Sequence, residues 1–266
     1  DGSVGDGRVT LIGGGKSDTD YVRLPANLMS PLQSATIETW STQYSSKNWS
    51  RVFSVGSSSS NVMHMSFSRG TDINLNELRW NAQTNMTLQD FGGRPTNPLD
   101  ETIHWVVTID DTGGPAGETK VTVYKNGDEV RTGNTSNDLS GLNDNDFFLG
   151  RSQWNDNTAN ASWEDFRIYD GAMDPIAVKF SNAQGPDIAP GQVPFEITNI
   201  IYHADSQTAD VSWNSKPGVN YIIWVSEDGQ DWADVDDAFE SEGDTTTFTD
   251  IEATSQRLLI RIEVSE

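Results

Sequence analysis

Residues 121–131 read VTVYKNGDEVR, and this stretch is the strong β-hairpin signal in the first two thirds of the chain. β-Branched and aromatic residues, which favour strands, precede a central Asn126-Gly127 pair, and a second short run, DEVR, follows it. Asparagine and glycine both tolerate positive φ, as the type I′ turn of a two-residue hairpin requires. The stretch therefore predicts two antiparallel strands joined by a tight turn.

Short strand-like runs of the same kind occur on both sides of this hairpin. They are rich in β-branched and aromatic residues and are separated by turn residues. One short helix is expected after Asp174, which can cap it, with Pro175 in its first turn. Many strands with almost no helix predict two packed antiparallel sheets. Besides the hairpin, whose first strand is predicted over 120–127, the candidate strands cover residues 20–25, 35–42, 49–56, 62–69, 77–83, 103–110, 147–150 and 161–170.

A second, smaller domain is expected after a break near residues 182–194, where three prolines and two glycines prevent regular structure. We predict a first domain over 1–184, a linker over 185–194 and a second domain over 195–266. Five strand-like runs in the last part, with Trp213 as a core residue and Asp228-Gly229 as a tight turn, are typical of a small immunoglobulin- or fibronectin-III-like sandwich.

Composition narrows the classes of function. The chain has 40 acidic and 17 basic residues and a net charge of −23, which disfavours nucleic acid and anionic membranes as partners. No run approaches the roughly 18 apolar residues of a membrane span. Without cysteine, the 266 residues form no disulfide, thiolate zinc site or cysteine nucleophile. No signal peptide is visible, and we interpret the chain as a piece of a longer precursor.

Seven motifs occur in the order found in a known family. In this order the chain resembles laminin-G-like domains of the concanavalin-A-like lectin/glucanase superfamily over about residues 15–182. The motifs are DYVRLP (20–25), TIETW (36–40), WSRVFSVG (49–56), HWVVTID (104–110), VTVYKNGDEV (121–130), FLGRSQW (148–154) and EDFRIYDGAM (164–173).

The resemblance implies an all-β jelly-roll sandwich. Members of the family bind sugars, bind proteins or serve as accessory modules beside polysaccharide-degrading enzymes, so each site needs its own argument. The stretch WNSKPGVNYIIWVSEDGQDW (213–232) resembles the small fibronectin-III-like modules that follow such domains in secreted proteins of marine and environmental bacteria.

Glycoside hydrolysis needs two carboxylates that face each other across the scissile bond. The glucanase branch of the superfamily carries them as E-x-D-x-x-E on one strand, and this pattern is missing here. Glu38 stands alone, and the adjacent Glu164 and Asp165 would point to opposite faces of a strand. The sequence therefore predicts a protein without this catalytic pair, and an enzyme with an unfamiliar site stays an open alternative.

Calcium is the metal that the loops suggest, because it prefers carboxylate, amide and carbonyl oxygens. The resemblance implies a structural calcium that ties an early loop to the last strand, with Asp18, Asp20 and Asp165 as the matching ligands. Residues 143–146 with Asn155 and Asp156 form a second candidate cluster. The alternative is that Asp and Asn simply form turns here.

Sugar binding is expected from tryptophans in polar loops, because a pyranose stacks its C–H face on an aromatic ring and pairs its hydroxyls with polar side chains. The alternative for these tryptophans is packing against arginines. Five other tryptophans, at positions 40, 105, 163, 213 and 224, have apolar strand neighbours and are expected in the core. The predicted ligand-binding residues are Trp49, Arg51, Trp80, Arg151, Trp154, Asn155 and Asp156.

The function predicted from the sequence is a non-catalytic, carbohydrate-binding module pair of a secreted or cell-surface bacterial protein, which targets other domains of a larger parent to a polysaccharide. An acidic surface disfavours sulfated glycans unless arginines 51, 69, 79, 94 and 151 gather into a basic patch. The second hypothesis is adhesion through protein contacts, which predicts an exposed apolar patch or strand edge.

Overall fold

The computed structural model describes residues 2–5, 7–15, 20–81, 86–89, 95–186, 196–215, 218, 220–236, 238–241, 243, 245–255 and 257–264. The chain divides into two compact units, Asp1–Ile188 and Ala189–Glu266. Within these ranges, no helix is long and apolar enough to cross a membrane.

The first unit contains thirteen strands and one α-helix in its described part. The strands are β1 (Ser3–Gly5), β2 (Arg8–Gly14), β3 (Val22–Leu24), β4 (Ser34–Ser45), β5 (Arg51–Gly56), β6 (Val62–Ser66), β7 (Glu77–Trp80), β8 (Met86–Gln89), β9 (Thr102–Asp110), β10 (Thr119–Lys125), β11 (Asp128–Thr135), β12 (Asp146–Leu149) and β13 (Thr158–Asp170), and the helix is α1 (Pro175–Gln184).

Two antiparallel sheets make up this unit. The seven-stranded sheet has the order β1-β2-β13-β4-β9-β10-β11, and the six-stranded sheet has the order β3-β12-β5-β6-β7-β8. The predicted all-β jelly-roll architecture of two antiparallel sheets is confirmed. The predicted hairpin joins β10 to β11, with φ of 49° at Asn126 and 85° at Gly127. The short β1, β2 and β8 were not predicted from the sequence.

The core of the first unit takes alternate residues from both sheets. In β9, Ile103, Trp105, Val107 and Ile109 point inward and are almost completely buried. They pack with residues of the other sheet such as Met63, Met65, Leu78 and Trp80. This period-two alternation is what a strand with one core face requires.

Helix α1 covers the outer face of the seven-stranded sheet. Asp174 caps it by accepting hydrogen bonds from the backbone N–H groups of Ile176 and Ala177, as the sequence predicts. Val178 of the helix packs against Val106 of β9 and Tyr124 of β10. Because of this cover, β9 is buried on both faces.

A buried ionic cluster also lies on this outer face. The carboxylate of Glu38 is fully buried; it lies 2.9 Å from His104 Nε2 and 3.3 Å from Arg167 Nη1, and it accepts a 2.6 Å hydrogen bond from Tyr169 Oη. Burial acts to raise the pKa of Glu38, but the hydrogen bonds from His104, Ser181 and Tyr169 outweigh it and leave the pKa lowered. Burial and the adjacent Glu38 carboxylate raise the pKa of Tyr169 to about 12.

The second unit is also built of strands: β14 (Ile197–His203), β15 (Thr208–Asn214), β16 (Asn220–Ser226), β17 (Ala233–Asp234), β18 (Phe239–Glu240), β19 (Thr245–Glu252) and β20 (Leu259–Val264). They form a three-stranded and a four-stranded antiparallel sheet, and Val211, Trp213, Tyr221, Ile223, Ile251 and Ile262 from both sheets form one apolar cluster. Its likeness to fibronectin type III stays a prediction. Residues 187–194 of the predicted linker lie outside the described residues.

Replacement of Glu38 by glutamine should destabilise the first unit by about 3 kcal/mol at pH 7, because it leaves the buried Arg167 without its full counter-charge. The folded-state pKa of Glu38 is lower than the ordinary 4.5, so its stabilisation is complete above that pH and is lost as the pH falls through the folded value. Urea unfolding followed by tryptophan fluorescence at pH 7 and pH 3 measures both effects.

The matched control is Glu164→Gln, since Glu164 forms a 2.7 Å salt bridge with the partly exposed Arg8. A partly exposed pair contributes less than about 1 kcal/mol. Equal losses for the two variants at pH 7 would contradict the stabilising role of the buried cluster.

Candidate functional site

The outer face of the six-stranded sheet carries two adjacent rows of polar residues. The inward residues of β6 and β7 belong to the core, so the residues between them point the opposite way. The first row is Ser54–His64–Arg79–Thr87, and the second is Arg51–Ser66–Glu77–Gln89, each following the antiparallel register from strand β5 to strand β8.

A pocket of about 330 Å³ opens on these rows. We call it the arginine–tryptophan pocket. Two loops complete it, one before β5 and one between β12 and β13. Its lining residues are Trp49, Arg51, His64, Glu77, Arg79, Trp154 and Asp156.

Arg51 is the centre of the pocket. Its guanidinium carbon lies 5.6 Å from the ring centroid of Trp49 and 5.7 Å from that of Trp154, within cation–π range of both. Its Nη2 donates a 2.9 Å hydrogen bond to Asp156 Oδ2, which also accepts one from Ser152 Oγ, and its Nη1 donates to the Trp49 carbonyl. Burial lowers the pKa of Arg51 to about 10, against the opposing effect of Asp156, so the residue is still charged at neutral pH.

The two tryptophans of the pocket are half-buried, and the backbone fixes both. Trp49 has φ of 56°, in the left-handed region, and its N–H donates to the Gly70 carbonyl at 3.0 Å. The N–H of Trp154 donates to Ser152 Oγ at 3.0 Å. A bulky residue with positive φ is an outlier that persists only where its surroundings enforce it.

His64 and Glu77 form the buried part of the pocket. His64 Nε2 lies 3.4 Å from Glu77 Oε1, and Glu77 Oε2 accepts a 2.8 Å hydrogen bond from Gln89. Burial, followed by the charge of Arg51, lowers the pKa of His64 to about 4. Burial acts to raise the pKa of Glu77, but hydrogen bonds from His64 and Gln89 outweigh it and leave it lowered. At neutral pH the pair is therefore a neutral imidazole beside an ionised carboxylate.

This arrangement is suited to binding. The half-buried ring surfaces of Trp49 and Trp154 offer stacking area, and Arg79 and Asp156 offer a hydrogen-bond donor and an acceptor that are partly accessible. General acid catalysis of glycoside cleavage needs a carboxyl with a raised pKa. Glu77 has the opposite shift, and Asp156 is paired with Arg51.

Four of the seven predicted ligand-binding residues line the pocket, namely Trp49, Arg51, Trp154 and Asp156. The prediction for Trp80 is wrong, because its side chain is only 1% exposed and belongs to the core between the sheets. The chain alternates Glu77-Leu78-Arg79-Trp80, and Trp80 shares the inward face with Leu78.

Arg151 and Asn155 do not line the pocket. The guanidinium carbon of Arg151 lies 4.3 Å from the Tyr21 ring centroid and 5.1 Å from that of Phe148, and Asn155 is an exposed loop residue. Sequence reasoning did not select His64, Glu77 or Arg79 as ligand-binding residues, although it named Arg79 as a possible member of a basic patch. The sequence pattern that could have identified these residues is their alternation with the core residues of β6 and β7.

The predicted calcium ligands are engaged by protein donors where they are described. Asp20 Oδ2 accepts the Ile12 N–H at 3.1 Å, and Asp165 is paired with Arg167. Asp18 lies outside the described residues. In the second cluster, Asp144 accepts hydrogen bonds from the N–H groups of Met29 and Ser30 and from the Ser30 hydroxyl.

Asp146 of the second cluster pairs with Arg23 at 2.8 Å. Within the described ranges, no group of three or more acidic or histidine side chains is arranged to hold a metal. An arginine-paired carboxylate such as Asp165 fits a calcium ion poorly, because the guanidinium already compensates its charge. Calcium binding stays a prediction, and no step of the function is based on it.

The two-sheet architecture is that of a concanavalin A-like β-sandwich. A laminin-G family model of the concanavalin A-like lectin/glucanases superfamily matches residues 14–179, and the chain belongs to this superfamily. A comparison with curated proteins gives no match.

Solved structures share the fold at low identity. Domain 4 of AbnA, a GH43 extracellular arabinanase from Geobacillus stearothermophilus in complex with arabinotriose, is 19% identical with a TM-score of 0.52, over 67% of this chain and 79% of that one. The binding domain of botulinum neurotoxin DC in complex with rat synaptotagmin II is 14% identical with a TM-score of 0.51, over 94% and 65%.

A further neighbour is botulinum neurotoxin type C, whose cell entry depends on interaction with two ganglioside molecules. It is 14% identical with a TM-score of 0.50, over 84% of this chain and 50% of that one. This chain therefore spans between half and two thirds of the length of the neurotoxin chains. At these identities the likeness shows the fold alone.

The His64 imidazole should stay neutral between pH 5 and pH 8, since its pKa is lowered to about 4. Between about pH 6.5 and pH 4 the unfolded chain then binds a proton that the folded chain does not, so stability should fall as the pH falls. An NMR titration of the His64 ring signals, assigned with His64→Gln, measures this. A midpoint near pH 6.5 would contradict the burial of the ring.

Proposed function

We propose that this chain is a non-catalytic carbohydrate-binding module of an extracellular or cell-surface protein, which holds its parent protein on a polysaccharide. The observation that supports this proposal is the arginine–tryptophan pocket, where two half-buried tryptophans lie within cation–π range of Arg51, beside Arg79 and Asp156. Aromatic surface next to paired donors and acceptors is the chemistry that a sugar ring requires.

The fold relatives support the carbohydrate class. The AbnA domain is in complex with arabinotriose, and the type C neurotoxin interacts with gangliosides. These ligands belong to those proteins, and the pocket described above provides the independent reason to expect a glycan here. The second unit would then serve as a spacer or a second contact, and the other domains of the parent would supply any catalytic activity.

The absence of catalysis is inferred from the charge state of the pocket. Cleavage by two carboxylates requires one of them to donate a proton at working pH. The lowered pKa of Glu77 and the pairing of Asp156 with Arg51 remove both lining carboxylates from this role. The proposal therefore expects no release of reducing ends from any glycan that the chain binds.

Trp154→Ala should weaken binding of the recognised glycan by about 10-fold, since one stacked aromatic ring contributes about 1.4 kcal/mol at the upper end of its range. Trp49→Ala should have a similar effect. A glycan array identifies the ligand, and isothermal titration calorimetry measures each variant. Trp232→Ala, in a polar loop of the second unit, is the matched control and should bind like the wild type.

Absence of binding to every glycan on the array would overturn the proposed function. So would equal affinities of Trp154→Ala and the wild type for the bound glycan. Thermal unfolding of each variant, monitored by circular dichroism, confirms that the pocket variants are folded.

Adhesion through protein contacts is a second candidate, and one observation favours it. Strand β14 lies at the edge of the three-stranded sheet, and its Ile200, Ile201 and Tyr202 are 54%, 47% and 57% exposed. An apolar edge strand is a template for pairing with another strand. Self-association of the chain through this edge is the simplest form of such a contact.

If β14 mediates self-association, sedimentation velocity should show a dimer whose fraction rises with protein concentration. Ile201→Lys should abolish the dimer, because a charge at an edge strand opposes pairing. Lys120→Glu, on β10 of the first unit, serves as a charge-change control. A monomer at all concentrations would exclude this form of adhesion while leaving the glycan proposal intact.

A further inference from the structure

The charge of the arginine–tryptophan pocket differs from that of the whole chain. Arg51 and Arg79 both line it, and Arg69 reaches its edge with Nε 3.8 Å from Glu77 Oε2. Among the residues that the structure describes, two carboxylates, those of Glu77 and Asp156, lie with these three arginines at the pocket. This concentration of arginines occurs in a chain with a net charge of −23.

His64 is neutral at neutral pH, so the positive charge of the pocket comes from its arginines. The imidazole is 1% exposed, and its Nδ1 has no hydrogen-bond partner among the described residues. Arg51 and Arg79 each lower its pKa further, and Arg79 also lowers that of Arg51. The two guanidinium groups line the same pocket and carry the same charge, so an anion bound there would reduce their mutual repulsion.

The positions of the two arginines differ in a way that matters for a ligand. Arg51 is 3% exposed, and the carboxylate of Asp156 and the Trp49 carbonyl already engage its two terminal nitrogens. Arg79 is half-buried and is central in the first polar row, directly opposite His64 on β6. Arg79 is thus the more exposed of the two arginines, and Arg51 supplies charge behind it.

We propose that the arginine–tryptophan pocket selects glycans that carry a carboxylate, with a uronic acid residue placed against Arg79. The inference rests on the proposed function, and it names the substrate class of the same site. A planar guanidinium fork matches a carboxylate in a two-point contact, which a neutral hydroxyl does not reproduce. The tryptophan surfaces contact the sugar ring and do not depend on its charge.

A matched pair of ligands tests the charge alone. Oligogalacturonate and its methyl ester have the same sugar chain and differ in the carboxylate. The intact chain should bind the acid at least 10-fold more tightly than the ester in calorimetry at low salt, and the difference should shrink at high salt because the charges are screened. Alginate oligomers and their esters repeat the comparison on a second uronate backbone, and agarose and carrageenan oligomers provide a neutral and a sulfated arm.

Arg79→Gln should remove the preference, so that the variant binds acid and ester with equal affinity, whereas Trp154→Ala should weaken both by a similar factor and keep the preference. Arg151→Gln, an arginine that stacks on Tyr21 and Phe148 outside the pocket, is the control and should change neither.

Equal binding of acid and ester, or an equal loss of both in Arg79→Gln, would overturn the carboxylate assignment while the glycan-binding function stands. Binding of the sulfated arm without the uronates would also overturn it, in favour of a sulfate ester. No binding of any arm, together with an empty glycan array, would overturn the proposed function and this inference together.

Discussion

The pleat of the six-stranded sheet is the constraint on which the candidate site depends. Each inward residue of β6 and β7 that joins the core fixes the next residue on the opposite face. Burial of Leu78 and Trp80 thus places Glu77 and Arg79 outside, and burial of Met63 and Met65 does the same for His64. A one-residue shift in the register of these strands would turn the core side chains outward and the pocket side chains inward. The free energy gained by burying the core residues therefore also fixes the positions of the site residues.

The polar residues on the two outer faces of the first unit lie in different environments. On the seven-stranded sheet, helix α1 covers the face, and Glu38 is enclosed by His104, Arg167 and Tyr169. On the six-stranded sheet the described residues leave a pocket lined by both charged and aromatic side chains. The first group of polar residues is enclosed within the protein and the second is open, which is why the proposed function is placed on the second face.

Local signals in the sequence were sufficient to predict most strands, the helix and two packed antiparallel sheets, and the family resemblance implied their jelly-roll arrangement. The Asn126-Gly127 turn, the Asp174 cap and the alternating runs each depend on neighbouring residues only, and each is observed. The loop residues Trp49 and Trp154 were also recognisable, because large aromatics in polar surroundings are unusual.

The rest of the site depends on information that is not local. Whether Trp80 or Arg79 faces the core is decided by the pairing of β7 with β6 and by the opposite sheet, and the short run ELRW is compatible with either choice. The pairing of Arg51 with Asp156, 105 positions apart in the sequence, is likewise set by the fold. For the same reason the sequence suggested Asp165 as a metal ligand, although the residue two positions along its own strand already neutralises it.

The left-handed backbone at Trp49 has a consequence for how this protein tolerates change. A bulky residue in that conformation stores strain that glycine would not, so Trp49→Gly relieves conformational cost at the same position where it deletes a wall of the pocket. The same ring also lies 5.6 Å from the buried Arg51 guanidinium, so its packing offsets part of the backbone cost, and Trp49→Gly would remove both that contact and the pocket wall.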